Sequence, residues 1–151
     1  MKKFLSGLKN AAKGFAGAVK TERNMRVHVC MTVYVVIAAV ITKISRAEWA
    51  AVLICCALVL CMETVNTAIE NLCDAVHPEK CGRIGFVKDA AAGAVLVCAV
   101  FSAVVGCIIF FSRDSLINAG AFIHGNTVLT VILACTLVPA ILFIRGGKKN
   151  D

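Results

Sequence analysis

Four apolar runs, each about as long as a lipid bilayer is thick, constrain the fold of this chain more than any other feature. Glu63 is the only Asp, Glu, Lys or Arg within them, and the runs are 27–42, 49–69, 90–112 and 115–144. A membrane-spanning helix needs roughly 20 apolar residues, and 60% hydrophobic residues with a mean hydropathy of +0.86 exceed what a soluble domain carries. We therefore predict an all-α membrane protein with four transmembrane helices, the last starting near Thr127.

The basic residues predict which side of the membrane each loop faces. Of the 16 Lys and Arg residues, 13 lie before the first run, between the second and third, or after the fourth. The positive-inside rule then places both termini and the middle loop in the cytoplasm, so we expect a multi-pass protein of the inner (cytoplasmic) membrane. The net charge of +7 suits anionic lipids. Nucleic acid is not an expected partner, because no basic stripe is interleaved with aromatic residues.

The N-terminal arm has the pattern of a helix that lies on the membrane surface. Its apolar residues recur every three or four positions and share one face, at Phe4, Leu8, Ala12, Phe15 and Val19. Lysines occupy the opposite face, as in interfacial amphipathic helices. Seven Lys and Arg residues in the first 26 positions argue against a secretory signal. Glu22 is the only acid in this arm, and such an acid ordinarily pairs with a nearby base, here Arg26.

The cysteines and prolines indicate neither disulfide bonds nor a division into separate domains. Most of the nine cysteines sit singly in apolar runs, so we expect reduced thiols that behave as small hydrophobic residues. Cys73, His77 and Cys81 could hold zinc, but their spacing is not that of a zinc ribbon. No proline-rich linker divides the chain. We predict a membrane domain with its surface helix over 1–112, followed over 113–151 by an outer-side loop, an extra transmembrane helix and a basic tail.

The second run carries the residues most suggestive of chemistry. Projected at the helical period, Glu63, Asn66, Glu70 and Asp74 share an arc of about 80°. An acid that emerges with the helix into water is ordinary, which would explain Asp74 and also Glu70. Glu63 is different, because it lies roughly 16 Å of helix rise before Asp74. Ionisable residues inside a membrane are costly, so Glu63 is expected to be functional.

A second group of charges should lie at the same depth. Lys88 and Asp89 stand just before the small-residue start of the third helix, and alone they would be an ordinary helix cap. Together with the carboxylates of the second helix they supply the groups that phosphoryl transfer needs, namely oxygen ligands for Mg²⁺, a cation for phosphate and a base. The sequence contains no Walker A motif and no G-x-G-x-x-G loop. Any nucleotide site must therefore be built differently.

Three motifs resemble the small prokaryotic membrane diacylglycerol kinases, a family that includes undecaprenol kinases of the Gram-positive type. They are TERNMRVH at 21–28, ETVNTAIE at 63–70 followed by Asp74, and KDAAAGAV at 88–95. The resemblance covers roughly residues 3–111. It implies a homotrimer of three-helix subunits, each with a surface helix, and active sites shared between subunits at the cytoplasmic interface. The fourth transmembrane helix departs from that pattern.

The resemblance also implies residue roles. Glu63 matches the catalytic base, Glu22 and Glu70 match the Mg²⁺ ligands, and Asn66 and Asp74 match supporting polar residues. The implied nucleotide contacts are Asn10, Glu22, Glu70, Glu79, Lys80, Cys81, Lys88 and Asp89. Asn10 stands where the family can have an aromatic residue, and Cys81 where it can have a histidine.

The implied function is ATP- and Mg²⁺-dependent phosphorylation of a membrane lipid alcohol. The acceptor is left open between undecaprenol and diacylglycerol, although the TERNMRVH motif resembles the branch that favours undecaprenol. Two other classes of function are also open from the residues alone. Glu63 and Glu70 could relay protons or cations in a small oligomeric transporter, or the chain could be a membrane scaffold.

Overall fold

The structure is a computed structural model and describes residues 2–76 and 82–146. These residues form helices, which in chain order are α1 (Lys2–Thr21), α2 (Arg23–Thr42), α3 (Arg46–Val76), α4 (Gly82–Phe110), α5 (Arg113–Gly125), α6 (Thr127–Cys135) and α7 (Leu137–Arg145). No strand occurs in the described ranges. The all-α prediction is therefore confirmed.

Four helical segments in the described part of the chain are long and apolar enough to cross a membrane, as predicted. They are α2, α3, α4 and the stretch Thr127–Arg145, which contains α6 and α7. Large apolar side chains along all four are exposed, among them Leu53, Leu96 and Val128. Such an exposed apolar surface suits lipid as the surrounding solvent. The fourth span begins at Thr127, where the sequence predicts it.

The fourth span is two short helices because of its proline. Pro139 has no N–H to donate to the carbonyl four residues earlier, at Cys135, and α6 ends at that residue. Thr136 bridges the break, since its hydroxyl donates to the carbonyl of Leu133 at 2.6 Å. At this break the fourth span contacts α2, because the hydroxyl of Tyr34 in α2 lies within hydrogen-bond distance, 3.0 Å, of the Thr136 hydroxyl.

Local signals fix the turn between α2 and α3. Lys43 adopts a left-handed conformation (φ 54°) and its N–H reaches the carbonyls at the end of α2. Ser45 and Glu48 then form a capping box that begins α3: the Ser45 N–H donates to the Glu48 carboxylate at 2.7 Å and the Glu48 N–H to the Ser45 hydroxyl at 3.3 Å. A small core closes this end of the bundle around Ala39, Val52 and Ile109.

Two connections differ from the sequence-based expectation. The stretch 82–89 is the first part of α4 rather than a lead-in to a helix beginning near Ala90. The expected outer-side connection over 113–126 is largely the helix α5, which is capped by Ser112 and packs on α2. Asn118 donates to the carbonyl of Thr42 at 2.9 Å, so α5 covers the end of α2. None of the described cysteines forms a disulfide, in agreement with the prediction of reduced thiols.

Candidate active site

The directions of the helices bring the predicted site residues that the structure describes to one end of the bundle, which we call the α1 end. It comprises α1, the starts of α2 and α4, and the ends of α3 and α7. Contacts across the bundle are consistent with this arrangement, because α1 touches both α2 and α3, and α7 touches α2.

Glu63 is a buried carboxylate within the α3 span, with only 2% of its surface exposed. Its backbone carbonyl accepts the Thr67 hydroxyl at 3.0 Å, which is a local helix contact. Within residues 2–76 and 82–146, no cationic side chain forms an ion pair with it. A carboxylate that is buried and unpaired costs free energy, so its retention argues for chemistry rather than for packing.

Two further acids face the same region. Glu70 lies about two helical turns beyond Glu63 on the same face of α3. Glu22 is the residue that joins α1 to α2. Both carboxyl groups are near enough to the Glu63 carboxyl to interact with it electrostatically. Both are half-buried. The fold thus brings Glu22 towards two acids of α3, one of which is 48 residues away in the chain.

Asn66 fixes the position of Glu70. It is 6% exposed, and its side-chain amide donates to a Glu70 carboxylate oxygen at 3.0 Å. The same amide's carbonyl oxygen is buried and has no hydrogen-bond partner among the described residues. Because i and i+4 side chains are neighbours on a helix, this contact follows from the spacing in the sequence.

Lys88 and Asp74 join α4 to α3. The Lys88 ammonium forms an ion pair with the Asp74 carboxylate, and their side chains are 31% and 68% exposed. Asp89, the next residue, is exposed. The pair therefore holds the Lys88 ammonium at the α1 end, beside the face of α3 that carries Glu70 and Asp74.

The donor set suits Mg²⁺ supported by a substrate. Mg²⁺ prefers carboxylate oxygens and usually takes only one or two from the protein, the remainder coming from water and substrate phosphates. Glu22 and Glu70 could supply those two. No group of three His, Cys, Asp or Glu side chains is gathered as a metal centre in the part of the chain that the structure describes. Two carboxylates of this kind fit a metal that arrives with a phosphate.

The sequence profile of the prokaryotic diacylglycerol kinases matches residues 9–110 of this chain. The chain belongs to that family. It is therefore a lipid kinase, and the matched segment contains every site residue described above. This favours the kinase over the transporter and the scaffold.

Two curated relatives agree with the assignment. The kinase is 31% identical to the undecaprenol kinase of Bacillus subtilis (strain 168) over 113 residues, which are 75% of this chain and 92% of the relative. It is 32% identical to the diacylglycerol kinase of Synechocystis sp. over 103 residues, which are 68% of this chain and 59% of that relative. No solved structure matches the kinase significantly.

The remaining predicted residues of the kinase are Asn10, Glu79, Lys80 and Cys81. Asn10 is exposed on α1, and its side chain makes no hydrogen bond to a described residue. Glu79, Lys80 and Cys81 lie outside the described residues, as does His77 of the hypothetical zinc group.

Sequence reasoning missed the role of Arg26, which it paired with Glu22. Arg26 is 5% exposed, and its guanidinium donates instead to three backbone carbonyls. These belong to Ile144 at 3.3 Å, Val19 at 3.3 Å and Lys20 at 3.0 Å. It thereby ties the ends of α1 and α7 to the start of α2, next to Glu22. The sequence feature that indicates this role is the position of Arg26 just inside a membrane span, where a charged side chain needs hydrogen-bond partners within the protein.

Proposed function

We propose that this kinase transfers the γ-phosphoryl group of ATP, with Mg²⁺, to the hydroxyl of a membrane lipid alcohol. The products would be undecaprenyl phosphate from undecaprenol or phosphatidate from diacylglycerol. One observation carries the proposal: Glu63 is buried in a membrane span and forms no ion pair with a cationic side chain among the described residues.

Glu63 is the proposed catalytic base. In this proposal a lipid alcohol approaches Glu63 laterally from the bilayer, and the carboxylate accepts the hydroxyl proton as the oxygen attacks the γ-phosphorus. The bond between the γ-phosphorus and the bridging oxygen of the β-phosphate breaks, and ADP leaves. A base is suited to this step when no cation competes for its charge, and none among the described residues forms an ion pair with Glu63. General bases of this kind contribute typically 10²- to 10⁴-fold to rate.

Glu22 and Glu70 are the proposed metal ligands, and both also belong to the nucleotide site. When bound, Mg²⁺ neutralises charge on the phosphates. Asn66 supports the site by holding one Glu70 oxygen in place, which leaves the other free for the metal. Glu22 is held by the α1–α2 junction that Arg26 organises.

The proposed nucleotide contacts surround these acids. Lys88 counters phosphate charge, oriented by its ion pair with Asp74. Further proposed contacts to ATP come from the family resemblance alone, and they are Asn10, Glu79, Lys80, Cys81 and Asp89.

The proposed setting is the cytoplasmic face of the inner membrane, with both termini inside, because 13 of the 16 basic residues lie on that side. Anionic lipids of that leaflet would attract the lysines of α1. We also propose a homotrimer with sites shared between subunits, on the basis of the family resemblance. Native mass spectrometry of the kinase in mild detergent should then give the mass of three chains, and a monomer mass would contradict it.

Transfer of label from γ-³²P-ATP into extracted lipid tests the proposal. Purified kinase in mixed micelles is given undecaprenol and diacylglycerol in parallel, each with Mg²⁺ or with a chelator. We expect labelled lipid only when Mg²⁺ is present, and the ratio of the two products identifies the acceptor. Undecaprenol is the first acceptor to test, since the relative aligned over 92% of its length carries that name.

Absence of label with both acceptors, from protein that retains its helical circular dichroism, would overturn the proposal. Proton or cation flux in vesicles without lipid phosphorylation would favour a transporter instead.

A further inference from the structure

A second pocket at the α1 end lies outside the kinase site. It has a volume of about 550 Å³ and is lined by Arg23 at the start of α2 and by Ile141, Ile144 and Arg145 at the end of α7. Three of these four residues lie beyond the segment that matches the family. Neither the proposed base nor the proposed metal ligands line it.

Arg26 holds the two walls of this pocket together. Its buried guanidinium donates to the Ile144 carbonyl at 3.3 Å, and that carbonyl belongs to one of the lining residues. Farther along the same two helices, the hydroxyls of Tyr34 and Thr136 meet at 3.0 Å. The end of α7 is thus fixed against the start of α2, so the pocket is formed before any ligand arrives.

The described lining of the pocket consists of two cationic and two apolar side chains. Arg23 and Arg145 are both exposed, and no acidic residue lines the pocket within the described ranges 2–76 and 82–146. Glu22 is the acid nearest to Arg23 in sequence, and it is half-buried and does not line the pocket. At the end of α7, Arg26 donates to the Ile144 carbonyl, which offsets part of the partial negative charge there.

The position of the pocket at the ends of two membrane spans indicates which class of ligand it binds. Arg23 is the first residue of one membrane span and Arg145 the last residue of another, which is where lipid headgroups lie. Planar guanidinium groups match phosphate oxygens, and the two isoleucines are surfaces for the glycerol and upper acyl chains of a lipid. Free phosphate would leave those isoleucines uncovered.

We propose that this pocket binds the phosphate headgroup of an anionic membrane phospholipid between Arg23 and Arg145. The site is distinct from the one in which a lipid alcohol would be phosphorylated. The C-terminal span thereby contributes a lipid-binding site to the kinase.

Binding of phosphatidylglycerol to the full-length kinase in neutral detergent tests this proposal, measured by native mass spectrometry and by thermal stabilisation. The double variant Arg23→Gln/Arg145→Gln removes both charges. The matched control is Arg46→Gln/Arg113→Gln, which removes two exposed arginines at the first residues of α3 and α5, at the other end of the bundle. No ATP or acceptor is added, so the outcome does not depend on the proposed kinase reaction.

We expect phosphatidylglycerol affinity to fall about fivefold for each arginine removed, or about thirtyfold for the pair. The control pair should change it less than twofold. Phosphatidylcholine binding should be weak and equal in all variants. Unchanged phosphatidylglycerol binding by the Arg23/Arg145 variant would overturn the proposal, as would complete displacement of the lipid by equimolar glycerol phosphate.

Discussion

A carboxylate inside a membrane span destabilises the fold unless it is paired or used, and Glu63 is buried without a cationic partner in the described chain. The neighbouring polar residues differ from it in this respect. Asn66 contacts Glu70, and Asp74 contacts Lys88. Each contact therefore positions a group that we propose to act on metal or nucleotide, and each can be tested by removing the supporting side chain alone.

Removing the Asn66 amide should weaken the use of Mg²⁺. In Asn66→Ala, Glu70 loses the donor that fixes one of its oxygens, and losses of this kind cost about 10- to 100-fold in metal affinity. We expect the Mg²⁺ concentration for half-maximal lipid phosphorylation to rise by about that factor. Asn71→Ala is the control, because Asn71 donates only to the backbone carbonyl of Thr67 at 2.8 Å. An unchanged Mg²⁺ requirement in Asn66→Ala would contradict the role of Asn66.

Removing the Asp74 charge should act on ATP and hardly on stability. An exposed ion pair contributes only about 0–1 kcal/mol, so Asp74→Asn should unfold near the wild-type temperature. Lys88 would lose the partner that orients it, and KM for ATP should rise several-fold. Asp114→Asn, an exposed acid in α5, should leave KM unchanged. A wild-type KM in Asp74→Asn would mean that Asp74 does not position Lys88.

Among the helices, the four spans could be predicted because charge-free runs of bilayer length have few other folds available. The extent of α4 and the helical nature of α5 could not. Residues 82–89 mix charges with glycines, and 113–125 is polar at its start, so neither has a pattern of its own that specifies a helix. Packing decides α5, through the contact of Asn118 with the end of α2.

In the candidate site, too, some contacts could be predicted from the sequence and others could not. The shared face of Glu63, Asn66, Glu70 and Asp74 follows from helical periodicity, and so does the Asn66–Glu70 contact. The contact of Arg26 with Ile144 joins residues 118 positions apart and depends on how α7 returns to α2. No local sequence pattern encodes such a contact. The sequence therefore predicts Glu22 as the partner of Arg26, where the structure shows the Ile144 carbonyl.

Arg26 should stabilise the junction of α1, α2 and α7. In Arg26→Gln three backbone carbonyls lose a charged donor in a buried place, and hydrogen bonds to charged groups contribute about 1.5–3 kcal/mol each. We expect a clear drop in the thermal unfolding temperature in detergent, larger than that of Arg23→Gln, which removes an exposed arginine. Equal unfolding temperatures for the two variants would contradict this role.

The whole chain divides into a family segment and an extension. The Bacillus subtilis relative is matched over 92% of its length by only 75% of this chain, so it is the shorter protein. A relative of that size has no room for all of the elements seen here. The phosphorylation chemistry should therefore lie in the family segment, while α5, α6 and α7 stabilise it and add the second pocket.

A chain that ends at Ser112 tests this division. It keeps every proposed catalytic and metal-binding residue but loses the Ile144 carbonyl that Arg26 contacts. We expect lipid phosphorylation to persist at low temperature and the unfolding temperature to fall. A truncated protein that remains helical but has no kinase activity would show that the extension takes part in the chemistry.

Turnover of Glu63→Gln measures the central claim most directly. The substitution keeps the size of the side chain and removes the base, so label transfer from ATP to lipid should fall about 10²- to 10⁴-fold. Binding of Mg²⁺–ATP, measured separately, should be nearly unchanged, and Asp114→Asn should behave as wild type. If Glu63→Gln phosphorylates lipid at a rate within tenfold of the wild-type kinase, Glu63 is not the base.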